Sequence, residues 1–329
     1  MKEIEQIFNV KKGERKDFAI KDLHIHRLSE LAMPGTIMRG IKPGPTLALV
    51  AGVHGDELNG VAIVRKIIDT ISPSEIKGTL ICLPTINVWG LLGTQRYMID
   101  GRDLNRRFPG LHEGSFTSRM AHKIFGLVKH CDYCIDFHTG TDGRKNVPQT
   151  RADLQTPGLR DMCKAFGMSI IYDHPGEEGT LRREANKIGV KAILYEGGES
   201  GRTEKKAIEA GCNGAKNVMA WLGMAIWPQK IPPISMVISD AKWIRSPTGG
   251  ILEFLKGPGE LVEKGEIFVE IDDIFGTETR GIKLDYDAVI IGTTNRPLVV
   301  QGYPIAHVID ISNLDENIKA LVKSLKKVG

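Results

Sequence analysis

The sequence predicts an α/β protein, with a large domain built on a mostly parallel, mixed sheet flanked by helices and a smaller all-β domain after it. Three observations predict this. Short continuous apolar runs alternate with helical patterns from the start to about Trp227. Three prolines then fall between Pro228 and Pro233, the composition of a linker. Beyond them the pattern changes to short strands broken by Gly and Pro turns. Apolar runs without period-two alternation mark strands covered on both faces, which is the signature of a parallel sheet under helices. The expected division is residues 1–230 for the first domain and 231–329 for the second, with a short C-terminal helix.

The elements follow in order. Thr46 to Val53 (TLALVAGV) is a continuous apolar strand, followed by a helix from about Glu57 to Ile71. Thr79 to Leu83 reads as the next strand, Met120 to Lys129 as a helix and Cys134 to Phe137 as another buried strand. Leu159 to Phe166 is helical, Ser169 to Tyr172 a strand and Leu181 to Ile188 a helix. Ala192 to Tyr195 is a further strand, and Lys205 to Leu222 a long helix. In the second domain, Pro258–Glu266 and, about forty residues on, Tyr286–Pro304 share a turn-and-strand rhythm. Such a repeat suggests two interlocked halves of a small barrel.

Composition narrows the function. With 329 residues the chain can bury a large core without disulfides. The net charge of +4 is small and spread along the chain, which argues against nucleic acid and anionic membrane surfaces as partners. The basic run Lys323, Lys326, Lys327 reads as a solvated helix face. No stretch approaches the roughly 18 apolar residues of a membrane span. The N-terminus has no apolar signal region, and a cytoplasmic location is expected. Five cysteines are few and odd in number. Cys131 and Cys134 have C-x-x-C spacing, but no second pair follows and they run into an apolar strand; buried structural thiols are the preferred reading over redox or zinc chemistry.

Four segments carry chemistry. Gly52-Val53-His54-Gly55-Asp56-Glu57 lies where a strand gives way to a helix, the end of a parallel sheet at which α/β folds place ligands. His54 and Glu57 can converge across that turn. A second strand end, Asp136-Phe137-His138-Thr139-Gly140, supplies a third zinc-type donor, and Asp136 could orient a ligand from behind. A lone histidine at a strand end is usually a hydrogen-bonded structural residue. Two of them, with Glu57 at its spacing, are harder to dismiss. Arg96 to Gly110 holds Arg96, Arg102, Arg106 and Arg107 with Asn105, either a carboxylate-binding loop or an ordinary solvated one. Glu196 ends the strand Ala192–Tyr195, where a general base could stand.

The G-x-H-G-x-E, D-L-N-R and strand-His-x-G elements, with the late strand-borne Glu196, resemble the succinylglutamate desuccinylase/aspartoacylase group of the zinc carboxypeptidase clan. The resemblance covers residues 45 to 225. It implies a zinc-carboxypeptidase-like fold, with His54, Glu57 and His138 holding one Zn²⁺ per chain. It further implies that Glu196 acts as general base and then acid, and that Asn105 and Arg106 hold a substrate carboxylate. Arg96 would polarise the scissile carbonyl, with Arg102 as the alternative. The clan's substrate-side tyrosine has no assignable counterpart. The implied activity removes an acyl group from a small N-acyl amino acid or amine by metal-activated water. A carboxypeptidase acting on peptides and a zinc-containing binding module without turnover are the alternatives. The partner is a small carboxylate-bearing molecule, and a homo-oligomer is left open.

The C-terminal region resembles the biotinyl/lipoyl carrier barrel-sandwich. Carriers present a lysine at the turn that here reads Asp272-Asp273-Ile274-Phe275-Gly276. A structural or substrate-gating role is therefore expected.

Overall fold

Thr46 to Ala51 alternates its side chains between two apolar clusters: Leu47, Leu49 and Ala51 enter one, Ala48 and Val50 the other. Both faces of this strand are therefore buried, which is why its sequence shows no polar alternation. The computed structural model describes residues 2–21, 24–26, 29–30, 32–141, 143–229, 231, 235–312, 314, 316 and 319–320. It divides into two compact units. The first comprises Met1–Thr139 and Pro148–Ser235, the second Gly140–Val147 and Met236–Gly329.

The first unit starts with helix α1 (Lys2–Phe8) and strands β1 (Arg15–Ile20), β2 (Met33–Arg39) and β3 (Lys42–Ala51). Next come α2 (Leu58–Thr70), β4 (Lys77–Leu83), α3 (Val88–Gly93), α4 (Phe116–Val128) and β5 (Tyr133–Gly140). It ends with β6 (Arg144–Ala152, of which Pro148–Ala152 belong to this unit), α5 (Leu159–Phe166), β7 (Ile170–Asp173), α6 (Leu181–Lys187), β8 (Lys191–Glu199) and α7 (Lys205–Trp221). The sheet order is β1-β2-β4-β3-β5-β8-β6, with β7 beside β6. Strands β4 and β5 run parallel to β3, and β7 runs parallel to β6. Strand β2 runs antiparallel to both its neighbours, β1 and β4, so the sheet is mixed.

Helices α2, α5 and α7 pack into one cluster through Ile63, Ile67, Met162, Phe166 and Val218; α4 and α6 cover the other face through Met120, Ile124, Leu181 and Ala185. The predicted strands and helices from Thr46 to Leu222 all occur, with ends displaced by a few residues. Strands β1, β2 and β6 were not foreseen. Pro34 and Gly35 interrupt β2, and β6 reads Arg-Lys-Asn-Val-Pro-Gln-Thr-Arg-Ala, too polar to suggest a strand. All five cysteines are buried and none forms a disulfide.

The second unit is all-β. Strands β9 (Ala241–Arg245), β10 (Gly250–Phe254), β11 (Leu261–Val262), β12 (Ile267–Asp272), β13 (Thr279–Lys283), β14 (Ala288–Thr294), β15 (Leu298–Val299) and β16 (Pro304–Asp310) enclose a core that includes Phe268, Ile271, Ile290 and Val308. One sheet pairs β14 with β16 and β16 with β9; the other runs β13-β12-β10-β15. The two repeat-like stretches meet where Leu261 and Val262 pair with Val289 and Ala288. The turn after β12 is closed by Asp273, which accepts backbone N–H bonds from Phe275 and Thr277 and carries no lysine. Lys323, Lys326 and Lys327 lie outside the described residues, as does part of the proline-rich linker. Among the described residues, no helix is long and apolar enough to cross a membrane.

Candidate active site

Ala51 of β3 stands opposite Phe137 of the parallel strand β5, so the residues just beyond them emerge side by side at the carboxyl end of the sheet. This brings His54 and His138 together, with ring centroids 5.1 Å apart. Glu57 occupies the N-cap position of α2, yet its side chain makes no cap bond. Its carboxylate is committed to the histidines instead: Oε1 lies 2.7 Å from His54 Nδ1 and Oε2 2.8 Å from His138 Nδ1. The Thr139 backbone N–H also donates to Oε2, at 3.1 Å. One ligand atom from each of the three residues lies within 4.8 Å of the others, and all three side chains are buried.

The far side of each ring faces a second carboxylate. His54 Nε2 is 3.3 Å from Asp103 Oδ1. His138 Nε2 is 2.9 Å from Asp136 Oδ2, at an angle too bent for a formed hydrogen bond. Acceptors behind Nε2 favour a proton there and leave the Nδ1 lone pairs facing inward, which is how histidine ligands are oriented. Two imidazoles and one carboxylate are the donor set of a catalytic zinc site, with a fourth position open. The residues fit a metal.

The same carboxylates also favour a second proton on each ring, one that an ion at Nδ1 would displace. Burial alone disfavours the charged forms of His54 and His138, but nearby carboxylates outweigh it, Glu57 and Asp103 for the first, Asp136 and Glu57 for the second. Both pKa values are raised, that of His138 strongly. Burial would also raise Glu57, yet the charges of both histidines and their hydrogen bonds hold it well below the usual carboxylate range.

Gly55 is demanded by this arrangement. A Cβ there would sit 1.8 Å from the Gly90 carbonyl carbon of α3, and its N–H donates to the Gln95 carbonyl, just before Arg96. Arg96 thereby reaches the ligand set: one guanidinium nitrogen is 2.7 Å from Asp103 Oδ2 and the other 3.3 Å from His54 Nδ1. Asp103 caps the turn Leu104–Arg106 by accepting from the Asn105 N–H. Asn105 is buried, and its side-chain oxygen accepts from the Leu181 N–H at the start of α6. Gly179, at φ +73°, lets the preceding loop lie against the Arg106 backbone; a Cβ would meet the Arg106 carbonyl at 2.6 Å. The Arg106 side chain is exposed and bonds the Asn105 carbonyl. Arg102 is exposed too, paired with Asp100 at 3.1 Å. Of the two arginine alternatives, the fold brings Arg96 to the ligand set.

Glu196 stands on β8, the strand between that of His138 and β6. Its Oε2 is 3.0 Å from an Nη of Arg151 on β6. Nearby, Arg182 is buried, donates to the His174 carbonyl at 2.6 Å, and has its pKa pushed down to about 10 by burial and by the charge of Arg151. Asp103, Arg151 and Arg182 are the charged residues that sequence reasoning left without a role. Asp103 at least heads the D-L-N-R motif; Arg151 and Arg182 carry no local signal.

Residues 43–222 match the model of the succinylglutamate desuccinylase/aspartoacylase catalytic domain. The chain belongs to this family. Among curated relatives, the N-alpha-acetyl-L-2,4-diaminobutyric acid deacetylase of Halomonas elongata is 25% identical over 244 residues, 70% of this chain and 71% of that protein. The succinylglutamate desuccinylase of Pseudomonas fluorescens is 23% identical over 223 residues, 56% of this chain and 65% of that protein. The fold is shared with the product-bound ectoine utilization protein EutE (DoeB) from Ruegeria pomeroyi, at TM-score 0.81 and 22% identity over 91% of this chain and 95% of that one. It is also shared with a succinylglutamate desuccinylase/aspartoacylase from Rhodobacter sphaeroides, at TM-score 0.79 and 24% identity over 91% and 96%.

Proposed function

We propose that the chain is a zinc-dependent amidohydrolase that removes an acyl group from a small N-acyl amino acid or amine. The observation that carries this reading is the convergence of His54, Glu57 and His138, each histidine with a carboxylate behind it. It is supported by two relatives named for removing acetyl and succinyl groups. His54, Glu57 and His138 would hold the ion. Zinc, when bound, supplies a Lewis acid and lowers the pKa of water towards about 7.

The chain's own residues do the rest. Glu196 accepts the proton of the attacking water and returns it to the leaving amine. Arg96 donates to the oxygen on which negative charge develops. Asn105, its side-chain oxygen already committed to Leu181, offers its amide N–H groups to a substrate carboxylate, and Arg106 supplies the opposing charge. Arg102 would contribute at the rim of the same loop. We read residues 1–230 as the catalytic domain and 231–329 as a barrel-sandwich, and place the enzyme in the cytoplasm.

The test is hydrolysis by zinc-loaded protein of N-acetyl-L-2,4-diaminobutyrate, N-succinyl-L-glutamate, N-acetyl-L-aspartate and a C-terminally free peptide. Amine release from at least one small N-acyl compound, abolished by a chelator and restored by zinc, is expected. Turnover of the peptide alone, or turnover indifferent to chelation, would overturn the reading.

A further inference from the structure

Arg151 has no place in the chemistry above, although it makes the 3.0 Å ion pair with the proposed base. The pair is not a surface decoration. Both side chains are largely buried, at 22% exposure for Arg151 and 12% for Glu196, so water and salt screen it far less than an exposed pair. Arg151 is itself held. Its strand pairs with β7 so that Arg151 stands opposite Tyr172, and its guanidinium lies over the Tyr172 ring, 5.5 Å from the centroid. Arg182, whose own charge is opposed by that of Arg151, flanks it. Attraction from Glu196 holds the guanidinium against the carboxylate, and the charge of Arg182 acts on both partners.

A glutamate has three rotatable side-chain bonds, and a base must present one oxygen to water within a few tenths of an ångström of the productive position. From this geometry we propose that Arg151 is the positioning residue of the general base, locking the Glu196 carboxylate into one orientation through a charge-assisted hydrogen bond. The inference rests on the reading of Glu196 as base. It assigns Arg151 no contact with substrate and no share in proton transfer.

The test uses zinc-loaded full-length protein and the panel substrate that the unaltered enzyme hydrolyses fastest. Arg151→Met should lower kcat about 10- to 100-fold, the scale of one lost charge-assisted hydrogen bond. KM should stay within about twofold, and zinc content and melting temperature should be retained. Arg151→Lys, which keeps the charge but not the fork, should lose less, and added guanidinium should restore part of the Arg151→Met turnover. A crystal structure of Arg151→Met should show Glu196 in more than one rotamer. In a Glu196→Gln background, Arg151→Met should cost no further turnover, because the group it orients is already gone.

Should Arg151→Met not fold, Arg151→Lys decides alone: a raised KM with unchanged kcat would make Arg151 a substrate contact and overturn the proposal. Unchanged kcat in both variants, or an additive loss in the double variant, would overturn it too. Near-normal turnover of Glu196→Gln by itself would instead bring down the underlying assignment of the base. The two failures are thus separable.

Discussion

Two carboxylate centres stand on the central strands of the first unit's sheet, and they are built to different specifications. Glu57 is sealed among His54, His138 and the Thr139 N–H, 2% exposed. The Glu196 side chain is 12% exposed, and that of its partner Arg151 is more open still. The first centre has carboxylates in front of both imidazoles and behind them; the second pairs one carboxylate with one guanidinium. The difference matches the tasks proposed for them. A ligand set must be fixed and dry before its ion arrives, whereas a base must exchange protons with water and leaving group.

The largest effect expected is loss of the sealed centre. Glu57→Gln or His138→Ala should remove zinc and reduce turnover to background, as read by metal analysis and the substrate panel. Full zinc occupancy in both variants would show that the centre is structural. The second centre should break differently. Glu196→Gln should lower kcat by roughly 10²- to 10⁴-fold, the range for general acid–base catalysis, with zinc retained. Zinc loss in that variant would make Glu196 a ligand and erase the distinction between the centres.

The loop at Arg96–Gly110 separates readable from unreadable parts. Arg106 and Arg102 are both exposed, so burial does not rank them. Arg106, however, follows the buried Asn105, while Arg102 is tied to Asp100. Arg106→Ala should raise KM by about 10- to 100-fold, the loss of a charge-assisted contact to a carboxylate. Arg102→Ala should change it by less than about twofold. Equal effects would remove the distinction drawn between the two arginines.

How much was legible follows from distance along the chain. His54 and Glu57 are three residues apart at a strand end, and His138 ends a second apolar strand, so topology alone predicted their meeting. Asp103 behind His54 lies 49 residues away, on a loop whose path depends on Gly55 packing against α3. Arg151 sits on a strand that includes Lys145, Asn146, Pro148 and Gln149 and was not recognised as one. Its polar side chains escape the rule of apolar runs. The partners that orient ligand and base are therefore the part that folding, not local pattern, brings together. Asp136 was readable because it shares a strand face with His138 two residues on. Asp136→Asn should weaken zinc binding about 10- to 100-fold while leaving a measurable site, as competition with a chromogenic chelator would show. Unchanged affinity would mean that the bent 2.9 Å contact to His138 does not steer it.

The smallest effect concerns the same strand as His138, at its other end. Cys134 opens β5 and His138 nears its close, so one strand carries a thiol and a ligand in different surroundings. Burial acts on both against charge. At His138 the carboxylates of Asp136 and Glu57 overrule it; at Cys134 burial acts without a cation to offset it, and the thiol is driven well above its ordinary value. Burial likewise pushes Cys82, Cys131 and Cys163 up to about 12. At pH 8 a group with that value is thiolate in roughly one part in ten thousand, and only thiolate reacts. Native protein at pH 8 should therefore show no fast reaction with a disulfide reagent at these four cysteines, and all five thiols of the chain should appear after denaturation. Fast labelling of Cys131 and Cys134 in the folded protein would restore redox or metal chemistry to the C-x-x-C pair, and with it a second reactive end to the strand.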